Sequence, residues 1–268
     1  MKNSATVLLL TLCLASPAFA QKAYADEVQT CDRQVIIAVA RWAAIEGKLT
    51  SMADDGGLIA AAACKVMPNA PQSTIAAVAF DANHGKPNSD TGRWTQVVAL
   101  VESGKVVAAN RSIIEEDTLT GVGANSYRID VAPYRLSSEV RAFGVVFTSS
   151  GRGPSCPDAS AEEELTLWVR EGDSLRPVFG TNLRGWYVIE GCGCSMCNGD
   201  SRSASADMTI GVEKTASHGF ADLSITAHIT LEQRKAGGES SETGKRTART
   251  VLHYDGKSYG VDMFRRFW

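Results

Sequence analysis

A chain of 268 residues with 27 Lys and Arg against 30 Asp and Glu carries a formal net charge of −3, which excludes the broad basic face that a nucleic-acid backbone requires. The length fits one large domain or two small ones and is ample to bury a core. The longest strongly apolar run, residues 7–14 (VLLLTLCL), is far short of the roughly 20 residues that a membrane-spanning helix needs.

That run sits between Lys2 and Ala18-Phe19-Ala20, and the three features together are the layout of a cleavable secretory signal. Residues 1–20 are therefore expected to be a signal peptide and 21–268 the mature chain, periplasmic or secreted and not membrane-embedded. A second Ala-x-Ala at Ala23-Tyr24-Ala25 places the alternative start at Asp26. Cys13 follows Leu12 rather than a small residue, which argues against a lipid anchor. Losing Lys2 takes the net charge from −3 to −4. Export into an oxidising compartment makes the six remaining cysteines, Cys31, Cys64, Cys156, Cys192, Cys194 and Cys197, disulfide partners first and metal ligands second.

Along the mature chain, residues 21–73 read as a partly helical N-terminal segment and 74–268 as a β body, together one β-rich domain. Between Cys31 and Lys48 the apolar residues Val35, Ile36, Ile37, Val39, Trp42 and Ile45 fit a helix, or a strand followed by a turn at Glu46-Gly47-Lys48. Residues 58–67 are Ala-rich and stop at Pro68, which predicts a short helix. From there the apolar runs are short, β-branched and bounded by Gly, Ser, Asp and Pro: 74–80, 95–101, 105–109, 142–147, 164–169 and 223–231. The last alternates strictly through Leu223, Ile225, Ala227, Ile229 and Leu231, which predicts a strand with one wet face. Glu115-Glu116-Asp117 and Glu162-Glu163-Glu164 read as solvated loop edges, and 235–249 (KAGGESSETGKRTAR) as a mobile polar loop.

Three hairpins are predicted, at Gly104, Gly172 and Gly256, where an acidic residue and a glycine follow an apolar strand and each unit is preceded by a further strand. The fold class is thus mainly β, built of antiparallel hairpin repeats in a propeller-like or sandwich arrangement, with a short helical segment at the N-terminus. This strand, loop, hairpin unit resembles the blade repeat of integrin-type (FG-GAP-like) propellers, most visibly at 74–80 followed by 95–109. Such repeats carry an acidic calcium loop; the counterpart here, residues 81–90, has oxygen donors without that spacing. The chain is also similar to a group of exported proteobacterial proteins through residues 58–68, the hairpin 168–177 and Tyr254-Asp-Gly-Lys-Ser-Tyr259. That likeness covers most of the mature chain and implies no activity.

The densest chemistry is Cys192-Gly193-Cys194-Ser195-Met196-Cys197. Soft ligands on a glycine-flexible loop can hold copper or zinc, with Cys156 or a histidine as the fourth donor. In an oxidising compartment the same sulfurs instead form disulfides, and the pairing expected joins Cys31 to Cys64 and Cys156 to the 192–197 loop, one of 15 connectivities that six cysteines allow. Nucleophile elbows, Ser-x-x-Lys and His-Glu-x-x-His are absent. Trp42 and Trp168 read as core residues, and Trp186-Tyr187, just before the cysteine loop, as a surface anchor. The C-terminal Phe264 to Trp268 ends like an outer-membrane barrel strand, but Arg265 would face lipid. The function expected is that of a non-catalytic envelope protein, a partner-binding, recognition or inhibitor-type module that binds another envelope protein or a surface ligand and needs no cofactor. A copper- or zinc-binding protein and a hydrolase of envelope polymers acting through carboxylates are the alternatives.

Overall fold

The computed structural model describes residues 29–81, 92–194, 197 and 199–262. Residues 1–20, expected to be a signal peptide, the oxygen-rich segment after Asp81, Met196 and the C-terminal aromatic run lie outside the described residues. The chain is mainly β. One helix, α1 (Arg33–Trp42), is followed by β1 (Lys48–Ser51), β2 (Gly57–Met67), β3 (Ala70–Asp81), β4 (Arg93–Glu102), β5 (Lys105–Glu115), β6 (Tyr127–Asp130) and β7 (Phe143–Phe147). Then come β8 (Ala159–Glu171), β9 (Ser174–Glu190), β10 (Ser201–Ser217), β11 (Phe220–Arg234), β12 (Ser240–Leu252) and β13 (Val261–Asp262). Hydrogen bonding links the strands into one mixed sheet whose main path is β1-β2-β3-β4-β5-β9-β10-β11-β12, with β6, β7 and β8 joined to it through β9.

Three apolar clusters show how this sheet folds onto itself. Ile36, Val39 and Ala40 of α1 pack on one face of β3 and β4, against Ala76, Val78, Phe80, Val97 and Ala99. The opposite face of the same strands, through Ile75, Ala77, Ala79, Val98 and Leu100, meets Ile129, Phe143, Val145 and Trp168. Beyond these, Val146, Leu165, Leu167 and Val169 turn away from that cluster and into a third, shared with Met208, Leu223, Ile225 and Leu252. Strands β3, β7 and β8 are therefore covered on both sides, and the near-continuous apolar runs at 74–80 and 142–147 are what double burial requires. Strand β11 has Leu223, Ile225, Ala227 and Ile229 in the core while His228 faces solvent, so the strict alternation belongs to a layer with one wet face.

Two of the predicted turns are two-residue hairpin loops: Ser103-Gly104 closes β4 on β5, and Gly172-Asp173 closes β8 on β9. Gly104 and Gly172 have φ of +71° and +65°, the left-handed conformation that tight hairpins demand. Gly256 also has positive φ (+97°), but no hairpin forms there. Asp255 accepts hydrogen bonds from the Lys257 and Ser258 N–H groups (both 2.7 Å), and Tyr254 and Tyr259 turn into the core. The chain thereby folds back across the sheet, and β13 pairs in parallel with β9 instead.

Three further expectations are corrected. Residues 58–67 are not a helix but most of β2, paired with β3 from Ile59↔Phe80 to Met67↔Ala70; helix propensity is a weak preference, and alanine suits a strand that α1 and a second sheet layer must both approach closely. Residues 235–249 are not a mobile loop. Only the turn before Ser240 is irregular, and β12 pairs with β11 from Arg234↔Ser240 to Leu223↔Leu252. An edge strand needs no apolar outer face, and Lys245, Arg246 and Arg249 there discourage pairing with another chain. Trp42 is 43% exposed rather than core, because the buried stripe of α1 follows Ile36, Val39, Ala40 and Ala43 and position 42 falls on the other side.

Candidate functional site

The cysteine loop occupies the connection between β9 and β10, and strand register explains why Cys156 joins it. The β8–β9 ladder begins at Ala159↔Tyr187 and is extended by Val188 N–H donating to Asp158 O at 2.8 Å. A residue three places before Ala159 therefore arrives beside the end of β9, where the loop starts. Cys156 and Cys194 stand at disulfide distance with Cα atoms 4.9 Å apart, and so do Cys192 and Cys197 with Cα atoms 6.0 Å apart. Cys194 Sγ lies 3.6 Å from Cys192 Sγ and 3.4 Å from Cys197 Sγ, and the four sulfurs all fall within 4.8 Å of one another.

The loop is held from outside as well. Arg234, the last residue of β11, donates to the carbonyls of Cys192 and Cys194, each at 3.0 Å. Cys197 N–H donates to Cys194 O at 3.2 Å. Asp200 accepts from Ala236 N–H (2.8 Å) and Lys235 Nζ (3.2 Å), and these two groups hold its carboxyl below the usual range. Gly193 has no room for a side chain: a Cβ there would lie 2.6 Å from Val188 Cγ2, 2.9 Å from Pro157 O and 3.5 Å from Trp186 Cη2. Trp186 thus sits under the loop, half-buried, while Tyr187 on the other face of β9 packs against the outer core. Burial raises the Tyr187 hydroxyl's pKa, partly offset by Arg246. Ile189, which the sequence did not single out, is the extra residue of a bulge between Val188↔Ser203 and Glu190↔Arg202 and is 42% exposed.

Cys31 and Cys64 form a separate pair at disulfide distance, with Cα atoms 4.8 Å apart. Around it Cys64 N–H donates to Gln29 O (3.0 Å), while the Gln29 side chain accepts from Ile129 N–H (2.6 Å) and donates to Ile129 O (3.0 Å). The segment before α1 is thereby stitched across β2 and β6.

Two groupings are invisible in the sequence. At the β10–β11 turn, Ser217 Oγ lies 3.4 Å and Asp222 Oδ2 3.1 Å from the same nitrogen of His253, Nδ1. A catalytic relay needs nucleophile and carboxylate on opposite ring nitrogens, so this is a structural knot. Asp222, 2% exposed, has its carboxyl held low by hydrogen bonds from Thr215, Ser217 and His253. The other grouping comes from the acidic triplet 162–164, which is strand and not loop edge. Glu163, at φ +54°, pairs with Arg128 (3.1 Å) and Arg184 (3.2 Å). Glu164 faces inward instead and lines a cavity of about 140 Å³ between β4 and β8. The signal that could have found it is the alternation Glu164, Thr166, Trp168 against Leu165, Leu167, Val169.

Scans against protein-family models, curated proteins and solved structures found no match.

Proposed function

We propose that this chain is an exported, non-catalytic recognition protein that binds another exported protein through the rim formed by the cysteine loop and the end of β9. The observation that carries this reading is the tying of the loop's described cysteines by two sulfur pairs and Arg234, and of Asp200 to the β11–β12 turn, beside a solvent-facing Ile189. A cross-linked segment loses little conformational freedom on association, and an exposed apolar residue next to it supplies an anchor. A photo-crosslinking residue at position 189 should give one discrete adduct in cells, lost when Cys192→Ser and Cys197→Ser loosen the loop. Absence of an adduct, or one unaffected by the serines, would remove this reading.

The second reading, a copper or zinc site, is favoured by the fourth sulfur. Tetrahedral coordination at a metal–sulfur distance of about 2.3 Å needs sulfurs about 3.8 Å apart, close to the 3.4 and 3.6 Å around Cys194, whereas Cys156–Cys194 and Cys192–Cys197 stand at disulfide distance and would have to open to hold an ion. Met196 would be an additional soft donor. The two readings demand opposite states of the same atoms, since a disulfide has no thiolate to offer. Intact mass after alkylation without reductant separates them. Fully oxidised protein without metal sustains the recognition reading, whereas three or more alkylated cysteines with stoichiometric zinc or copper sustain the metal one.

A further inference from the structure

The two sulfur pairs of the cysteine loop touch each other, and a contact between disulfides is more than a cross-link needs. Cys194 Sγ, which stands against Cys156, lies 3.4 Å from Cys197 Sγ and 3.6 Å from Cys192 Sγ, the two members of the other pair. All four sulfurs fall within 4.8 Å of one another. A disulfide is broken by a thiolate that attacks one of its sulfurs directly, so bonds can pass between two pairs only where sulfurs meet. Atoms poised to react stand about 3 to 3.5 Å apart, and Cys194 meets that condition. The Cys31–Cys64 pair lies outside this group of sulfurs.

Exposure gives the group a direction. Cys156 is exposed, Cys192 and Cys197 are half-buried, and Cys194 is 8% exposed. A thiolate arriving from solvent meets Cys156 first, and the sulfur it displaces is Cys194, the one in contact with both members of the second pair. Arg234 donates to the carbonyls of Cys192 and Cys194 at 3.0 Å each, which brings a positive charge to the two residues whose sulfurs must leave as anions.

We propose that these four sulfurs are a thiol–disulfide exchange relay entered at Cys156 by a small external thiol of the glutathione class. The external thiolate attacks Cys156 Sγ, forming a mixed disulfide and breaking Cys156–Cys194, whose electron pair leaves on Cys194. Cys194 attacks Cys197 Sγ, forming Cys194–Cys197, a Cys-x-x-Cys pair, and releasing Cys192 as the thiolate. Cys192 attacks Cys156 Sγ, forming Cys156–Cys192 and returning the external thiolate. As many S–S bonds form as break, no sulfur is oxidised or reduced overall, and the thiol acts as a catalyst. The relay rests on the oxidised state that the recognition reading requires, and both connectivities keep Cys156 tied to the loop.

Disulfide mapping of the mature protein tests it. Alkylation without reductant should label no cysteine. A sub-stoichiometric amount of glutathione, followed by acid quenching, peptic digestion and tandem mass spectrometry, should turn either starting connectivity into a mixture of Cys156–Cys194 with Cys192–Cys197 and Cys156–Cys192 with Cys194–Cys197. Cys31–Cys64 should stay intact throughout. Cys156→Ser leaves Cys194 without its partner and facing the second pair, so its free thiol should spread between Cys194 and Cys192 with no glutathione added. Melting curves confirm that the variant is folded. Alkylated cysteines in the untreated protein would remove the oxidised state and the relay together. A single connectivity before and after glutathione, in protein without free thiols, would overturn the relay and leave the oxidised state standing. So would exchange that also engages Cys31–Cys64, the mark of unfolding, or a folded Cys156→Ser protein whose thiol stays on Cys194 alone.

Discussion

Glu164 and Asp222 are both carboxylates on strands with their side chains turned from bulk solvent, yet their surroundings push them in opposite directions. Glu164 stands on β8, between layers, among Val98, Phe147 and Trp168, and burial raises its pKa. Asp222 stands on β11, at the end of the outermost layer, where Thr215, Ser217 and His253 converge on it and lower its pKa. The inner region was built to exclude water and tolerates a polar group only at a cost. The outer one brings hydroxyls and a histidine to the charge, which lower its pKa, while Asp222 Oδ1 itself is buried without a hydrogen-bond partner. Which region a residue belongs to, and not its type, decides what it does.

The comparison breaks most visibly in packing. Phe143 of β7, 1% exposed, should destabilise the protein by about 3 to 5 kcal/mol when changed to Ala. His228→Ala, on the wet face of β11, should stay within about 0.5 kcal/mol by denaturant unfolding. Equal effects would mean that the layers are not distinct.

The cysteines give the next largest difference. Removing the Cys31–Cys64 pair, whose partners are 33 residues apart, should cost roughly 4 kcal/mol by loop-closure entropy, against roughly 2 kcal/mol for Cys192–Cys197, only 5 apart. Double serine variants compared by melting in non-reducing buffer check this order, which reverses if the loop end carries more of the stability.

Smaller still are the turns. Gly104→Val and Gly172→Val place a β-branched side chain at φ +71° and +65° with nothing within 4 Å to clash, so the loss of about 1 to 2 kcal/mol would be conformational strain alone. Unchanged melting temperatures would remove the left-handed turn assignment.

The finest test is pH. Asp222 has its pKa depressed in the folded state, so its contribution is present above the ordinary value of 3.8 and is lost as the pH falls through the folded value. Asp222→Asn should therefore narrow the acid loss of stability. Glu164 has its pKa raised, so stability declines as the pH climbs from the ordinary 4.5 through the folded value. Glu164→Gln should match wild type in acid and exceed it at neutral pH. Stability curves for both variants between pH 3 and 8 that moved in the same direction would contradict the contrast between the two regions.

Much of this architecture was legible in the residues. Alternation at 223–231 identified a half-wet strand, unbroken apolar runs at 74–80 and 142–147 identified strands, and Gly104 and Gly172 marked their hairpins, because side-chain period and positive φ are local properties. Residues 58–67 misled because the helix preference of alanine is weaker than the packing that β3 and α1 impose. Residues 240–249 misled because an edge strand takes its stability from the backbone of its neighbour, which leaves no apolar signature. Of the candidate site, the sequence displayed the cysteine loop; Trp186 and Tyr187, expected as a surface anchor, are half-buried, and Ile189 was not singled out because its exposure follows from a bulge.

What the sequence determined by itself is therefore what depends on nearest neighbours along the chain: β content, turn positions and the clustering of Cys192, Cys194 and Cys197. Only tertiary structure decided that Cys194, rather than Cys192 or Cys197, stands against Cys156, that Glu164 faces inward while Glu163 faces Arg128 and Arg184, and that Asp222 meets His253. Each of these depends on strand register and layer order. A shift of a single residue would send every side chain to the opposite face, and the pairing that fixes the register joins residues tens of positions apart.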